Sequence, residues 1–262
     1  MNQVMPSLFL GHGSPMIAVE TGPYVQFLQS LASQLPRRPR AIVLFSAHWE
    51  AVTQQVSRVE SHYDTIYDFG GFPDELYRLT YPAPGDVTLA DEISELLREA
   101  GLSSIPNPTR GLDHGAWVPL RHVFPDADIP VIAMSVNSRA TGEVHYQIGK
   151  ALASLRARDV LIIGSGGTVH NFRTMKFPEG EGADDWAVEF DEWVMRQIKD
   201  WNYEALGNAR STHPLGMHAA PTPEHYIPLL YAMGAADDTR QGKRIYHGYS
   251  HSNLSLNCWQ FS

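Results

Sequence analysis

Continuous apolar runs that end in small residues constrain this chain more than any other feature. Residues 41–46 form one such run, residues 7–10 a shorter one, and residues 159–164, Asp-Val-Leu-Ile-Ile-Gly, the strongest. Runs of this length without polar alternation belong to strands covered on both faces. Residues 129–136 read as a further strand. Helical spacing fills the intervals. Over 86–100, Leu89, Ile93, Leu96 and Leu97 share a face, and Gly101 stops the helix. Over 144–155 the inward set is Ile148, Leu152 and Leu155. Over 184–201 it includes Trp186, Phe190, Trp193, Val194 and Ile198. Residues 24–35 are expected to be helical. A further helix is expected to be capped by Thr222, with Pro223 at its first position and His225 in its first turn. The tail over 243–261 reads as β-structure added in antiparallel fashion. Alternating strands and helices predict an α/β fold, one domain over residues 1–262, with a mainly parallel or mixed central sheet and helices on both faces. The 262 residues suffice for a sizeable core.

Charge and composition narrow the functions open to such a fold. The net charge is −9 and no lysine- or arginine-rich patch is present, which argues against nucleic acid and anionic membranes as partners. No run approaches the roughly 20 apolar residues of a membrane span. The only cysteine is Cys258, so neither an internal disulfide nor a Cys-rich zinc site can form. The first residues lack the basic start and apolar core of a signal peptide. These features together predict a cytoplasmic location.

Histidines cluster at the ends of the runs. His12 lies in Gly-His-Gly-Ser-Pro, His48 in Ser-Ala-His-Trp, and His170 in Thr-Val-His-Asn beyond the strongest run. Singly, each admits a structural role in a turn or a core. Together, each just past a separate strand, they predict side chains converging at the edge where open α/β sheets bind ligands. His225, in Pro-Glu-His-Tyr, is the fourth member. Neutral imidazoles are the commonest metal ligands, and three or four of them suit zinc or iron(II). On a helix, Glu224 and His225 would point about 100° apart, so only one of them can face the site. His114, in Leu-Asp-His-Gly-Ala-Trp, is read as a loop residue that either transfers protons or simply completes a turn. The glycine-rich stretch at 164–167 lacks the spacing of a dinucleotide loop. The segment over 61–84, rich in aromatics, glycine and proline, reads as a binding loop.

Taken in order, the segments at 11–15, 46–49, 68–73 (Asp-Phe-Gly-Gly-Phe-Pro), 81–85, 112–117, 170–171 and 221–226 resemble the class III extradiol ring-cleaving dioxygenases, and within them the DOPA 4,5-dioxygenase branch. The resemblance implies one α/β domain with one divalent metal ion, Zn2+ or Fe2+, the latter expected for O2 chemistry. It implies that His12, His48 and His225 bind the metal, with His170 a fourth ligand or an acid–base beside it. It assigns His114 to proton transfer and substrate binding. The implied partners are a catechol such as L-DOPA and O2, and the implied product is the seco-DOPA semialdehyde of 4,5-cleavage. Arg173 is a candidate for the substrate carboxylate or else a surface arginine. Phe69, Phe72, Trp117 and Tyr226 either wall the ring or fill the core. Two other functions fit the residues: a zinc hydrolase with Glu224 as general base, and a non-catalytic binding protein retaining a metal site.

Overall fold

Strict alternation inside the central strands decides which helices cover which face. The computed structural model describes residues 4–177 and 182–262. Ten strands occur among them. They are β1 (Ser7–Gly11), β2 (Ala41–Glu50), β3 (Gln54–Ser57), β4 (Ser104–Asn107), β5 (Val131–Val136), β6 (Val160–Gly166), β7 (Gly242–Tyr246), β8 (Tyr249–Ser250), β9 (Leu254–Ser255) and β10 (Cys258–Phe261). Eight form one sheet in the order β4-β3-β5-β2-β6-β1-β10-β7, and β8 pairs with β9 alone. β6 runs parallel to both β1 and β2, and β2 parallel to β5. β10 joins β1 antiparallel and β7 joins β10 antiparallel. The sheet is therefore mixed, with a parallel centre and the antiparallel addition expected of the tail.

Leu8 and Leu10 of β1, Ile42 and Leu44 of β2, and Leu161 and Ile163 of β6 enter one core. That core includes Tyr24, Val25, Leu28 and Leu31 of α1 (Pro23–Leu31) together with Trp117 and Leu120 of α3 (His114–Val123). Val43, Phe45, Val160 and Ile162 face the other side. There they meet α2 (Val87–Glu99), α4 (Gly142–Ala151) and α9 (Pro228–Gly234). Phe9 belongs to a third cluster with α5 (Asp185–Lys199). Three short helices, α6 (Tyr203–Gly207), α7 (Ala209–Thr212) and α8 (Gly216–Ala219), link α5 to the segment before α9. Helices thus lie on both faces, as the alternating pattern implied.

The structure departs from the sequence-based expectations in five places. The helices expected to end at 35 and 155 stop as α-helix at Leu31 and Ala151, and tighter 3-10 turns continue them. β2 continues past residue 46 to Glu50, so His48 lies in the strand, where the register against β5 shifts between Phe45 and Glu50. The 111–117 segment is not all loop, because α3 begins at His114. Its residues are buried almost throughout, so no amphipathic period marks it, and Gly115 and Pro119 mask its helical character. Thr222 caps no helix. Its hydroxyl bonds to Glu224 Oε1 at 2.8 Å, residues 224–227 form turns, and α9 starts only at Pro228. Pro228 has no N–H for the preceding turn, which closes instead through Leu229 N–H to Tyr226 O and Leu230 N–H to Ile227 O.

Candidate metal centre

The neighbouring parallel strands β2, β6 and β1 end at one edge of the sheet, and this places the histidines. His12 follows β1 directly, and its N–H bonds to Gly166 O of β6 at 3.0 Å. The His225 segment crosses the end of β6 closely enough for Gly167 N–H to bond His225 O at 2.8 Å. Only glycine permits that crossing. A β-carbon at Gly166 would stand 2.0 Å from His225 O, and one at Gly164 would stand 2.1 Å from Pro228 O. The glycine-rich stretch is therefore the seat of the fourth histidine and not a phosphate loop.

Three ring nitrogens converge here. His48 Nε2 lies 3.0 Å from His12 Nε2 and 3.2 Å from His225 Nε2. Each ring turns its other nitrogen outward onto an oxygen. His12 Nδ1 is 2.9 Å from Ser165 Oγ, and His225 Nδ1 is 2.9 Å from Glu224 Oε1. His48 Nδ1 is 3.4 Å from Asp68 Oδ2. A metal-binding histidine ordinarily has such an outer partner, which fixes its tautomer and orientation. Nitrogens about 2.0–2.1 Å from a common ion come to rest at about these mutual separations. The donor set fits one divalent ion held by His12, His48 and His225.

The rings stay uncharged without help. Burial, and then the neighbouring His48, holds His12 well below its ordinary value; burial, and then His170, does the same for His225. His48 is lowered to about 3 by burial and then by His114, and His170 to about 4, chiefly by burial. Neutral imidazole is the form that binds metal.

His114, at the start of α3, stands beside the three. Its ring centroid is 4.0 Å from that of His48. Asp68 Oδ1 accepts its backbone N–H and Asp68 Oδ2 faces its Nδ1, both at 2.9 Å. Burial alone would raise Asp68, but the hydrogen bonds from His114 outweigh it and hold the carboxyl at about 2. Sequence reasoning placed Asp68 in a motif but gave it no role. Its position in the aromatic loop over 61–84 was the available signal. Gly115 lets α3 approach, since a β-carbon there would meet Ser46 Oγ at 2.7 Å and His48 Cδ2 at 2.9 Å. His170 stacks on His225 with ring centroids 3.5 Å apart and planes within 8°. Glu224 Oε1 meets the outer nitrogen of His225, and the two residues lie in turns, so the divergence expected of neighbours on a helix does not apply to them.

His48, His114, His170 and His225 line a cavity of about 750 Å³, with His12 buried behind them. Phe69, Phe72, Phe172, Met175, Tyr246 and Leu256 are among its walls. Trp117 and Tyr226 are not among the lining residues. Trp117 is fully buried with Nε1–H on Ile66 O at 3.1 Å, and Tyr226 packs in the core against Phe190. Both fill the core for the reason large aromatics usually do, the area they remove from water. Arg173 is exposed. It follows the lining residue Phe172 without lining the cavity itself. His218 packs on Trp186 and does not line the cavity.

Comparison with known proteins agrees with this geometry. A family model described as the catalytic LigB subunit of aromatic ring-opening dioxygenase matches residues 7–257. The chain is 39% identical over 264 residues to the 4,5-DOPA dioxygenase extradiol of Beta vulgaris, covering 100% of this chain and 98% of that protein. It is 41% identical over 260 residues to the protein of the same name from Escherichia coli (strain K12), covering 96% and 93%. The crystal structure of an uncharacterized protein from Escherichia coli K12 aligns with a TM-score of 0.84 at 36% identity, over 98% of this chain and 100% of that one. No helix among the described residues is long and apolar enough to cross a membrane. The family match takes in seven of the eight strands of the main sheet, the converging histidines and the aromatic cavity, and the chain belongs to the LigB family of class III extradiol ring-opening dioxygenases, metal-dependent oxidoreductases.

Proposed function

We propose that this chain opens the ring of a catechol bearing an aliphatic side chain, L-DOPA among them, by 4,5-extradiol cleavage to the seco-DOPA semialdehyde. The observation that carries the proposal is the inward convergence of three Nε2 atoms at 3.0 and 3.2 Å, two of them on histidines that line an aromatic cavity. The names of the full-length relatives support DOPA as substrate. His12, His48 and His225 would hold the metal, and iron(II) there supplies the redox chemistry that lets a catechol react with O2, whereas zinc has none.

The side chains perform the rest. Asp68 stays ionised and accepts from His114 Nδ1, which leaves His114 Nε2 bare on the cavity side to take a catechol proton. The same carboxylate then stabilises the imidazolium until the proton returns during ring opening. His170, stacked on His225, is assigned to proton handling beside the metal and not to a fourth coordination bond. Phe69 and Phe72, edge-to-face with one another, give the substrate ring an apolar wall that excludes water. The amino-acid end points to the mouth, where Phe172 lines the wall and Arg173 follows it. Both atoms of O2 enter the product, one in the aldehyde half and one in the carboxylate half.

The test is oxygen uptake by metal-stripped protein reloaded anaerobically with iron(II), then given L-DOPA in air, beside a zinc-loaded sample and a His114→Ala variant. Uptake with a yellow product is expected only with iron, and the variant should be slower by about 10²–10⁴-fold. No uptake with L-DOPA or with simpler catechols would overturn the proposal.

A further inference from the structure

A proline inside α3 has a consequence at the metal site. Pro119 is the sixth residue of this helix, and a proline has no N–H to give to the carbonyl of the residue four positions earlier, Gly115. Gly115 O is buried and needs another donor. It receives one from β6, where the hydroxyl of Ser165 donates to it. Ser165 is fully buried and carries a single hydroxyl proton. Once that proton is committed to Gly115 O, Ser165 Oγ can meet His12 Nδ1, 2.9 Å away, only as an acceptor. The Nδ1 of His12 must then carry the proton, which leaves its Nε2 with the lone pair aimed at His48 and His225.

We infer that Ser165 is a positioning residue that fixes His12 in the metal-ready tautomer, and that Pro119 makes this possible by leaving the Gly115 carbonyl free. The other two outer partners, Asp68 and Glu224, are carboxylates that attract an Nδ1 proton by charge. A hydroxyl has no such preference. It accepts or donates according to its third partner, so on the His12 side the tautomer is decided by the backbone of α3. The chain thereby ties three elements, β1, β6 and α3, to one proton position. The inference rests on His12 being a metal ligand and not on the identity of the substrate.

The test uses the full-length protein and two readouts that need no turnover. In the metal-free protein, ¹⁵N–¹H histidine spectra, with His12 identified by its loss in a His12→Asn variant, should show the wild-type ring protonated on Nδ1. In Ser165→Ala the ring should shift toward the Nε2–H form, and zinc affinity measured against a competing chelator should fall about 10–100-fold, the usual cost of losing an outer partner. Ser165→Thr, which keeps the hydroxyl, should recover most of that affinity, a rescue that a purely space-filling role would not produce. Thermal melting of the metal-free variants checks that the fold is intact. A wild-type His12 protonated on Nε2 would overturn the inference whether or not the variants fold, and so would a Ser165→Ala protein that binds zinc as tightly as wild type. Failure of the wild type to bind any metal would instead overturn the proposed metal centre itself.

Discussion

Two buried polar clusters flank the carboxyl end of β6, and they differ in one respect. Around Asp191 of α5, the polar groups answer one another. Thr168 donates to one carboxylate oxygen, while Ser255 Oγ and Asn257 Nδ2 donate to the other at 2.8 and 2.7 Å. One anion meets three donors, and the cluster ties the residues following β6 to the carboxyl-terminal tail. At the histidine site the polar groups are satisfied only on the outside. Inside, three Nε2 atoms approach to 3.0 and 3.2 Å. With each Nδ1 protonated toward its oxygen partner, lone pair faces lone pair, an arrangement that a cation between them would relieve. A closed donor–acceptor balance marks a structural cluster, and an imbalance that only a ligand corrects marks a functional one.

The sharpest way to break this contrast is to remove one inward nitrogen. His48→Ala should lower zinc and iron(II) affinity by more than about a hundredfold, beyond the ~10–100-fold effect of an outer partner, with the metal-free melting temperature little changed. Metal content after dialysis reads the outcome, and a variant that retains a full equivalent would remove His48 from the ligand set. The converse change belongs to the other cluster. Asp191→Ala strands three donors, which partly re-pair, so stability should fall by about 2 kcal/mol while metal content stays at one equivalent. Urea denaturation beside metal analysis checks both halves. Loss of metal without loss of stability would mean that the clusters are not separate.

Acid separates the two regions by sign. His48 and His170 are held at about 3 and about 4, below the 6.5 of an unfolded histidine. Between those values the unfolded chain binds protons that the folded, metal-free chain refuses, so stability is lost as the pH falls below about 6.5. Each such histidine adds about 1.4 kcal/mol per pH unit to the slope. Asp191 has the opposite sign, because burial raises its carboxyl from 3.8 to about 6. Its protonated form favours the fold, and that contribution is lost as the pH rises from 3.8 to about 6. Metal-stripped protein should therefore lose stability on acidification from about pH 6.5 down to about pH 4, most steeply near about pH 5, with Asp191 offsetting roughly the slope of one histidine between about pH 6 and 3.8. Urea midpoints across that range read the slope, and a flat profile would contradict the neutral, buried histidine site.

Much of this arrangement was legible in the sequence, and the limits of legibility have physical causes. Continuous apolar runs identified β1, β2, β5 and β6, since a strand covered on both faces leaves no other signature. Histidines beyond three of those runs announced a shared edge. The helix α3 was hidden because burial on every side erases amphipathic period, and because proline and glycine are local signals against helix that tertiary contacts override. The turns around His225 were hidden because Thr222 prefers the Glu224 carboxylate to a backbone N–H, a choice made by side-chain proximity. Trp117 and Tyr226 read equally well as walls or as core, and only packing assigned them to the core.

The sequence alone thus determined the alternation of strands and helices, a central sheet mainly parallel or mixed, and the histidines at its edge, because periodicity and residue chemistry are local properties. Tertiary structure alone decided which atoms meet: Asp68 on His114, Glu224 on the outer nitrogen of His225, and Ser165 between His12 and the Gly115 carbonyl. Those contacts join residues up to 153 positions apart. Hydrogen-bond direction at such a distance depends on where the backbone of another element leaves an unmet carbonyl, and no local pattern in the chain carries that information.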